Sequence, residues 1–294
     1  MKTDGNILIA FLLNISFSIF EFFGGIITGS IAIMSDSVHD LGDAISIGIA
    51  YFLERKSKKK PDNSHSYGYV RYSVMGSVIT TIILLVGSIF VIYESIKRII
   101  NPIEINYNGM ILFAIFGVII NFLASYVTRD GDSLNQKSVN LHMLEDVLGW
   151  AVVLVGSILI KFTDISMIDP ILSIGVAIFI FINAFKNLKS ITDVFLEVTP
   201  KDVKIDEIKS CLLQINGVID IHHIHIRSID GYNNFATMHV VVKEYSNEIK
   251  SNIKKELIKH NICHSTIEFE LKNEECKTKF CSITNLNTVH HHHD

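Results

Sequence analysis

Six long apolar runs separated by short polar segments occupy the first two thirds of the chain: Ile7–Ile27, Ile31–Leu53, Ser73–Ile96, Met110–Tyr126, Leu141–Ile160 and Ile168–Phe185. A bilayer core about 30 Å thick is crossed by roughly 20 helical residues rising about 1.5 Å each, so runs of this length predict six transmembrane helices. The pattern changes near Pro200. Apolar residues recur at helical spacing over Val203–Ile215 and stop at Gly217, Ile219–Ile229 and Ala236–Val242 read as strands, Asn247–His260 as a lysine-rich amphipathic helix, and Ser265–Leu271 as a last strand. That αββαβ order predicts a small α+β domain in which two helices cover one sheet. The chain therefore divides into a six-helix transmembrane domain over 1–190, a polar domain over 191–287 and a tail over 288–294.

Two spans break their own pattern in the same way. His39 and Asp43 lie four residues apart in the second run, and His142 and Asp146 repeat the spacing in the fifth. Residues at i and i+4 share one helical face, so each pair projects imidazole and carboxylate together. Ionisable groups at membrane depth are costly and mark function. Four such groups from two helices match the nitrogen and oxygen donors of a tetrahedral zinc site, held at about 2.0 to 2.2 Å. These four are the expected ligands of a transported divalent cation.

Loop charge sets the expected orientation. Arg55, Lys56, Lys58, Lys59 and Lys60 follow the second span, and Arg129 and Lys137 flank the loop between the fourth and fifth. Short basic loops face the cytoplasm, which with six spans places both termini there. The expected setting is a multi-pass protein of the lipid bilayer, the plasma membrane if the source is bacterial.

Composition narrows the picture. The 294 residues are 49% hydrophobic and only 19% charged, with a net charge of −4, and no basic stripe interleaved with aromatics occurs, so no nucleic-acid partner is expected. All four cysteines (Cys211, Cys263, Cys276 and Cys281) fall in the polar domain. In a reducing cytosol they would be thiols suited to metal rather than disulfides. No basic segment followed by a small-residue cleavage site opens the chain, so no removable signal peptide is expected. The run His290–His293 is set aside as a tag or a native histidine cluster.

The stretches SDSVHDLGD over Ser35 to Asp43, HMLED over His142 to Asp146 and HSYG over His65 to Gly68 together resemble the cation diffusion facilitator family, over nearly the whole chain. The resemblance implies six spans followed by a cytoplasmic metallochaperone-like domain, and a homodimer that exchanges zinc or a related divalent ion for protons. The histidine-and-aspartate form of the site is that of the zinc-transporting branch, and Asp36, on the face of His39, would support it. Asp62 and His65 match two of three ligands of a loop site, with Tyr69 standing where the second histidine would be. His222, His239, His264 and Glu270 match the positions of a regulatory zinc site, and Cys276 and Cys281 resemble a cysteine pair after the last strand, at wider spacing. Arg71 and Asp193 match a charge interlock between subunits at the membrane face. Strand alternation places His222 on one face with Ile224 and Ile226, and His223 with His225 on the other.

The expected function is proton-coupled efflux of Zn2+, with Cd2+, Co2+, Mn2+ or Fe2+ as alternative cargoes. A non-enzymatic role is favoured over an intramembrane metalloenzyme, because no His-Glu-x-x-His motif occurs and four protein ligands leave no open position. A passive channel is disfavoured because ligands matched this well to one ion hold it too tightly for fast conduction.

Overall fold

The structure is a computed structural model that describes residues 2–28, 31–101, 107–131, 133–163, 167–273 and 276; within α2 the side chains of Asp36 and His39 lie outside that description. Two compact units result, Met1–Asp193 and Val194–Asp294.

The first unit is helical: α1 (Lys2–Thr28), α2 (Ile31–Ser57), α3 (Arg71–Ile100), α4 (Tyr107–Thr128), α5 (Leu134–Thr163) and α6 (Ile168–Phe195). Among the described residues, five of these are long and apolar enough to cross a membrane. The described side chains of α2 from residue 40 onward include Asp40, Asp43, Glu54, Arg55 and Lys56, which keep that stretch below the measure. The helices also outlast their apolar cores. α5 starts at Leu134 rather than Leu141, where the Ser133 hydroxyl caps it by accepting from the Gln136 N–H at 3.0 Å.

Burial in this unit is inverted relative to a water-soluble protein. Large apolar side chains such as Phe52, Val86, Phe122 and Phe185 face outward, while Asn121, Asn135, Gln136, Ser138 and Asn187 are buried. Lipid tails solvate the outer surface, so packing and interhelical hydrogen bonds hold the bundle together. Asn187 of α6 donates to the hydroxyls of Thr81 on α3 and Ser138 on α5, both at 2.8 Å, and Ser77 meets Ser138 at 2.5 Å. Closer to the loops, the Glu54 carboxylate of α2 accepts from Ser73 at 2.6 Å and from Ser133 and Asn135 at 3.2 Å. Small residues permit the close approaches. A Cβ on Gly117 would stand 2.5 Å from the Trp150 ring, so α4 lies against α5 only because that position is bare.

The second unit holds α7 (Ile205–Leu213), β1 (Val218–Ser228), β2 (Asn234–Val242), α8 (Asn247–Lys259) and β3 (Ile262–Leu271). The αββαβ order is as expected. The sheet runs β1-β2-β3, with β1 and β2 an antiparallel hairpin and β3 parallel to β2 through the α8 crossover. Asp230 closes the hairpin by accepting the N–H groups of Tyr232 and Asn233 at 2.9 and 2.7 Å. Ser246 caps α8 through the Glu248 N–H. Ile208 and Leu212 of α7 and Ile249, Ile253 and Leu257 of α8 pack on Ile221, Ile226, Ala236, Met238, Val240 and Val242, so both helices cover one face.

Strand alternation fails in β1. Ile221 and Ile226 both enter the core, and Ile224 packs against it, which a period of two forbids. The register shifts between His222 and His225, where His223 takes a left-handed φ of 51°. This bulge turns His222 away from Ile224 and Ile226 and onto the face opposite the helices.

Candidate metal centres

The membrane site is built from α2 and α5. Asp43, His142 and Asp146 each offer a donor atom within 4.8 Å of the others, and His142 Nε2 lies 3.5 Å from Asp43 Oδ1. His142 is 3% exposed, and neither of its ring nitrogens makes a hydrogen bond among the described residues. A buried imidazole in that condition has lost water without recovering a partner, which a bound cation would supply. Asn14 of α1 donates to Asp146 Oδ2 at 3.4 Å and steadies the carboxylate from the third side. The three groups open onto a cavity of about 280 Å³ whose wall includes Asp40, Glu145 and Trp150. His39 is on α2 one turn before Asp43, but its side chain is outside the described residues, as is that of Asp36.

Asp40 and Glu145 were not singled out by the sequence. Both fall inside the stretches that carry the ligands, and their signal was the same: a carboxylate in an apolar run. What the sequence lacked was the rotational position that turns them to the cavity. Asn14 and Glu54 were missed for a related reason, being polar residues whose partners sit on other helices.

The second unit carries a cluster on the face of its sheet opposite the helices. His222 pairs with His239 across the β1–β2 ladder, and His239 Nδ1 meets Glu270 Oε1 of β3 at 2.5 Å. His222 Nε2 lies 3.3 Å from the other Glu270 oxygen. Cys276, beyond β3, donates its thiol to Glu270 Oε1 at 3.1 Å and its backbone N–H to Oε2 at 3.1 Å. All four residues offer donors within 4.8 Å of one another. Burial by itself would raise the Glu270 carboxyl, but hydrogen bonds from His239 and from Cys276, with the His222 ring close by, bring it down to about 2. A carboxylate, two imidazoles and a thiol form a donor set suited to zinc.

Not every expected residue joins this cluster. His264 pairs in register with Phe235 near the start of β3, is exposed, and lies against that ring at a tilt of 39° with centroids 4.9 Å apart. It is six residues from Glu270 on an extended strand, so within one chain it belongs to a different part of the sheet. Cys281 lies outside the described residues.

The loop after α2 is closed by its own side chains. Asp62 and His65 exchange backbone hydrogen bonds, and Asp62 Oδ1 accepts the N–H groups of Ser64 and His65 at 3.0 and 2.9 Å. Its other oxygen accepts from the Tyr69 hydroxyl at 2.6 Å and from Lys59 at 3.3 Å, which together hold the carboxyl well below its usual range. The His65 ring stacks on Tyr69 at 4.0 Å. The tyrosine in the place of a histidine thus occupies the carboxylate that a metal would need. Arg71 opens α3 on the surface, and Asp193 is half-buried near the end of α6.

Comparison with known proteins places both units. Residues 7–196 match the cation efflux transmembrane domain, and 200–272 match the cation efflux protein cytoplasmic domain. The chain is 31% identical over 297 residues to the cadmium, cobalt and zinc/H(+)-K(+) antiporter of Bacillus velezensis, covering 98% of this chain and 95% of that one. It is 30% identical over 300 residues to the zinc transporter ZitB of Yersinia pseudotuberculosis, with 98% and 95% covered. With the metal cation efflux system protein CzcD of Cupriavidus metallidurans it shares 32% over 269 residues, covering 90% and 85%.

Proposed function

The chain belongs to the cation efflux family, and on that premise we propose that it is a homodimeric zinc exporter driven by protons, with His39, Asp43, His142 and Asp146 as the transport ligands. The observation that carries the reading is the His142 imidazole, buried beside two carboxylates with neither nitrogen hydrogen-bonded among the described residues. The chain is a multi-pass membrane transporter and not an enzyme, and its function is divalent metal efflux.

The ligand chemistry supplies the coupling. Zinc binds carboxylates and neutral imidazoles, so its arrival displaces protons, and protons entering from the far side displace zinc. Imidazole titrates near pH 6.5, within reach of a physiological gradient. The low-dielectric surroundings sharpen the exchange, because a charge left in the cavity without a counter-charge is costly. Glu145 and Asp40 extend the polar wall and give an ion a path past the ligand set. Alternating access then needs the helices to rock about a site near the membrane midplane.

Both termini lie in the cytoplasm in this reading, and the second unit meets zinc there. His222, His239, Glu270 and Cys276 form its regulatory site. Zinc held there biases the dimer toward the state that binds it better. Arg71 and Asp193 serve as the interlock between subunits. Asp62 and His65 are assigned to the turn and not to metal.

The test is zinc flux into proteoliposomes with internal pH recorded. Asp43→Ala and Asp146→Ala should each abolish flux and the accompanying proton movement while the dimer survives detergent extraction. Zinc transport persisting in either variant would overturn the four-ligand site, and flux without proton movement would overturn the exchange.

A further inference from the structure

The helical layer of the second unit carries another group of ligand atoms, across the sheet from His222, His239 and Glu270. Cys211 of α7, Glu256 of α8 and His260 at the α8 C-cap offer a thiol, a carboxylate oxygen and an imidazole nitrogen within 4.8 Å of one another. We propose that these three residues form a separate zinc site that clamps α7 to α8.

Their placement follows from helix geometry. Ile253 and Leu257 of α8 and Ile208 of α7 point into the core, and Glu256, His260 and Cys211 each stand three residues after one of them. Positions three apart are neighbours on a helix surface, so all three flank the core stripe where the two helices meet. There they are half-buried, with His260 and Glu256 side chains 25% and 23% exposed. The sheet separates this group from His222, His239, Glu270 and Cys276, because the helices cover one face and the imidazole cluster occupies the other.

The donors are in the right mix. Thiolate and imidazole favour zinc or cobalt over magnesium and calcium, which take oxygen shells. Bonds of about 2.0 to 2.3 Å place tetrahedral donors about 3.3 to 3.8 Å apart, so no pair of the three atoms needs to draw in by more than about 1.5 Å. One contact already meets that spacing, His260 Nε2 to Glu256 Oε1 at 3.7 Å. Lys259 holds the other carboxylate oxygen, Oε2, at 2.6 Å. The lysine is exposed and its ion pair weak, so Oε1 is left to the metal without displacing it. Three protein ligands leave a fourth position to water, which makes the site exchangeable where a closed four-ligand site is not. Among the described residues Cys211 forms no disulfide, which leaves its sulfur available to a metal.

The test reads Cys211 directly in the full chain, so it does not depend on transport. The detergent-solubilised dimer is alkylated with iodoacetamide in ZnCl2, in MgCl2 or in EDTA, and each cysteine peptide is quantified by mass spectrometry. Zinc should slow alkylation of Cys211 by at least about tenfold, since coordination removes the free thiolate. Magnesium should not. Cys263, whose thiol faces the Asn234 carbonyl outside any such cluster, serves as the internal control. Protection should collapse in Glu256→Gln and His260→Gln and persist in Asp43→Ala and in His239→Gln. Equal rates with zinc and EDTA would overturn the proposal, as would protection that survives loss of both Glu256 and His260. Protection lost in His239→Gln would also overturn it, by showing that zinc acts from the other face of the sheet. Failure of the transport site leaves this result untouched, so the two readings stand or fall separately.

Discussion

Glu54 gives the sharpest test of how the membrane unit is held. One of its oxygens, Oε2, collects three donors from two other helices: Ser73 of α3, and Ser133 and Asn135 at the start of α5. Glu54→Ala removes all three acceptances. At about 0.6 kcal/mol for an average interhelical bond in a membrane protein, and about 1 for a typical buried one, the loss is roughly 2 to 3 kcal/mol. Two effects pull on that figure. Serine hydroxyls can turn to backbone carbonyls and recover part of it, and Asn135 keeps its 2.7 Å bond to the Ala50 carbonyl. Against this, the vacated carboxyl leaves a void that the bundle fills only in part. The estimate therefore stays near 2 to 3 kcal/mol, and Glu54→Gln, which keeps one acceptor and the volume, should lose about half as much. Trp150, the sole tryptophan, reports the outcome, since its ring meets Phe17 edge-on at 5.5 Å inside the bundle. Unfolding in mixed micelles with rising dodecyl sulfate separates the pair and shifts the emission. An alanine variant within about 0.5 kcal/mol of the parent would refute the argument, as would a glutamine variant that loses as much as alanine.

Two further outcomes concern the second unit. The Glu270 carboxyl is lowered from 4.5 to about 2, so the folded state gains stability above pH 4.5 that disappears as the pH falls toward 2, at most about 3 kcal/mol; Glu270→Gln should flatten that acid limb of the unfolding profile, and an unchanged limb would remove Glu270 as its cause. Gly217 holds φ +95° and a Cβ there would stand 2.5 Å from Ile249 Cδ1, so Gly217→Ala should cost about 1 to 3 kcal/mol and accelerate amide exchange in the β1–β2 ladder, whereas unaltered exchange would refute the strain argument.

The proposed transport ligands stand out in the sequence because the background around them is apolar. Against such a run, an imidazole and a carboxylate at i and i+4 are unmistakable, and Asp43, His142 and Asp146 do converge. Glu54, Asn135 and Ser138 gave no such contrast. They fall where the apolar runs give way to loop, and polar residues there are expected to meet headgroups and water. Only the packing of α2, α3 and α5 shows that they turn inward and bond to one another. The same lack of contrast hid the group at Cys211, Glu256 and His260. In a polar helix neither the glutamate nor the histidine stands out, and the cysteine that joins them comes from α7.

The misread face of β1 shows a deeper limit. Alternation assigns every residue of a strand from any one of them, and the single left-handed residue at His223 resets the count. No side-chain pattern announces it, since a positive φ is uncommon for any residue but glycine, even for histidine, which adopts it more readily than most. Yet the reset is what the cluster depends on. With unbroken alternation, His222 would share a face with Ile224 and Ile226 and point into the apolar core beneath the helices. There its ring would sit among aliphatic side chains, away from the Glu270 carboxylate that it faces at 3.3 Å in the structure. The bulge instead keeps both isoleucines in the core and swings His222 across to His239 and Glu270. A locally strained backbone is here the means by which one short strand supplies both a hydrophobic face and a ligand.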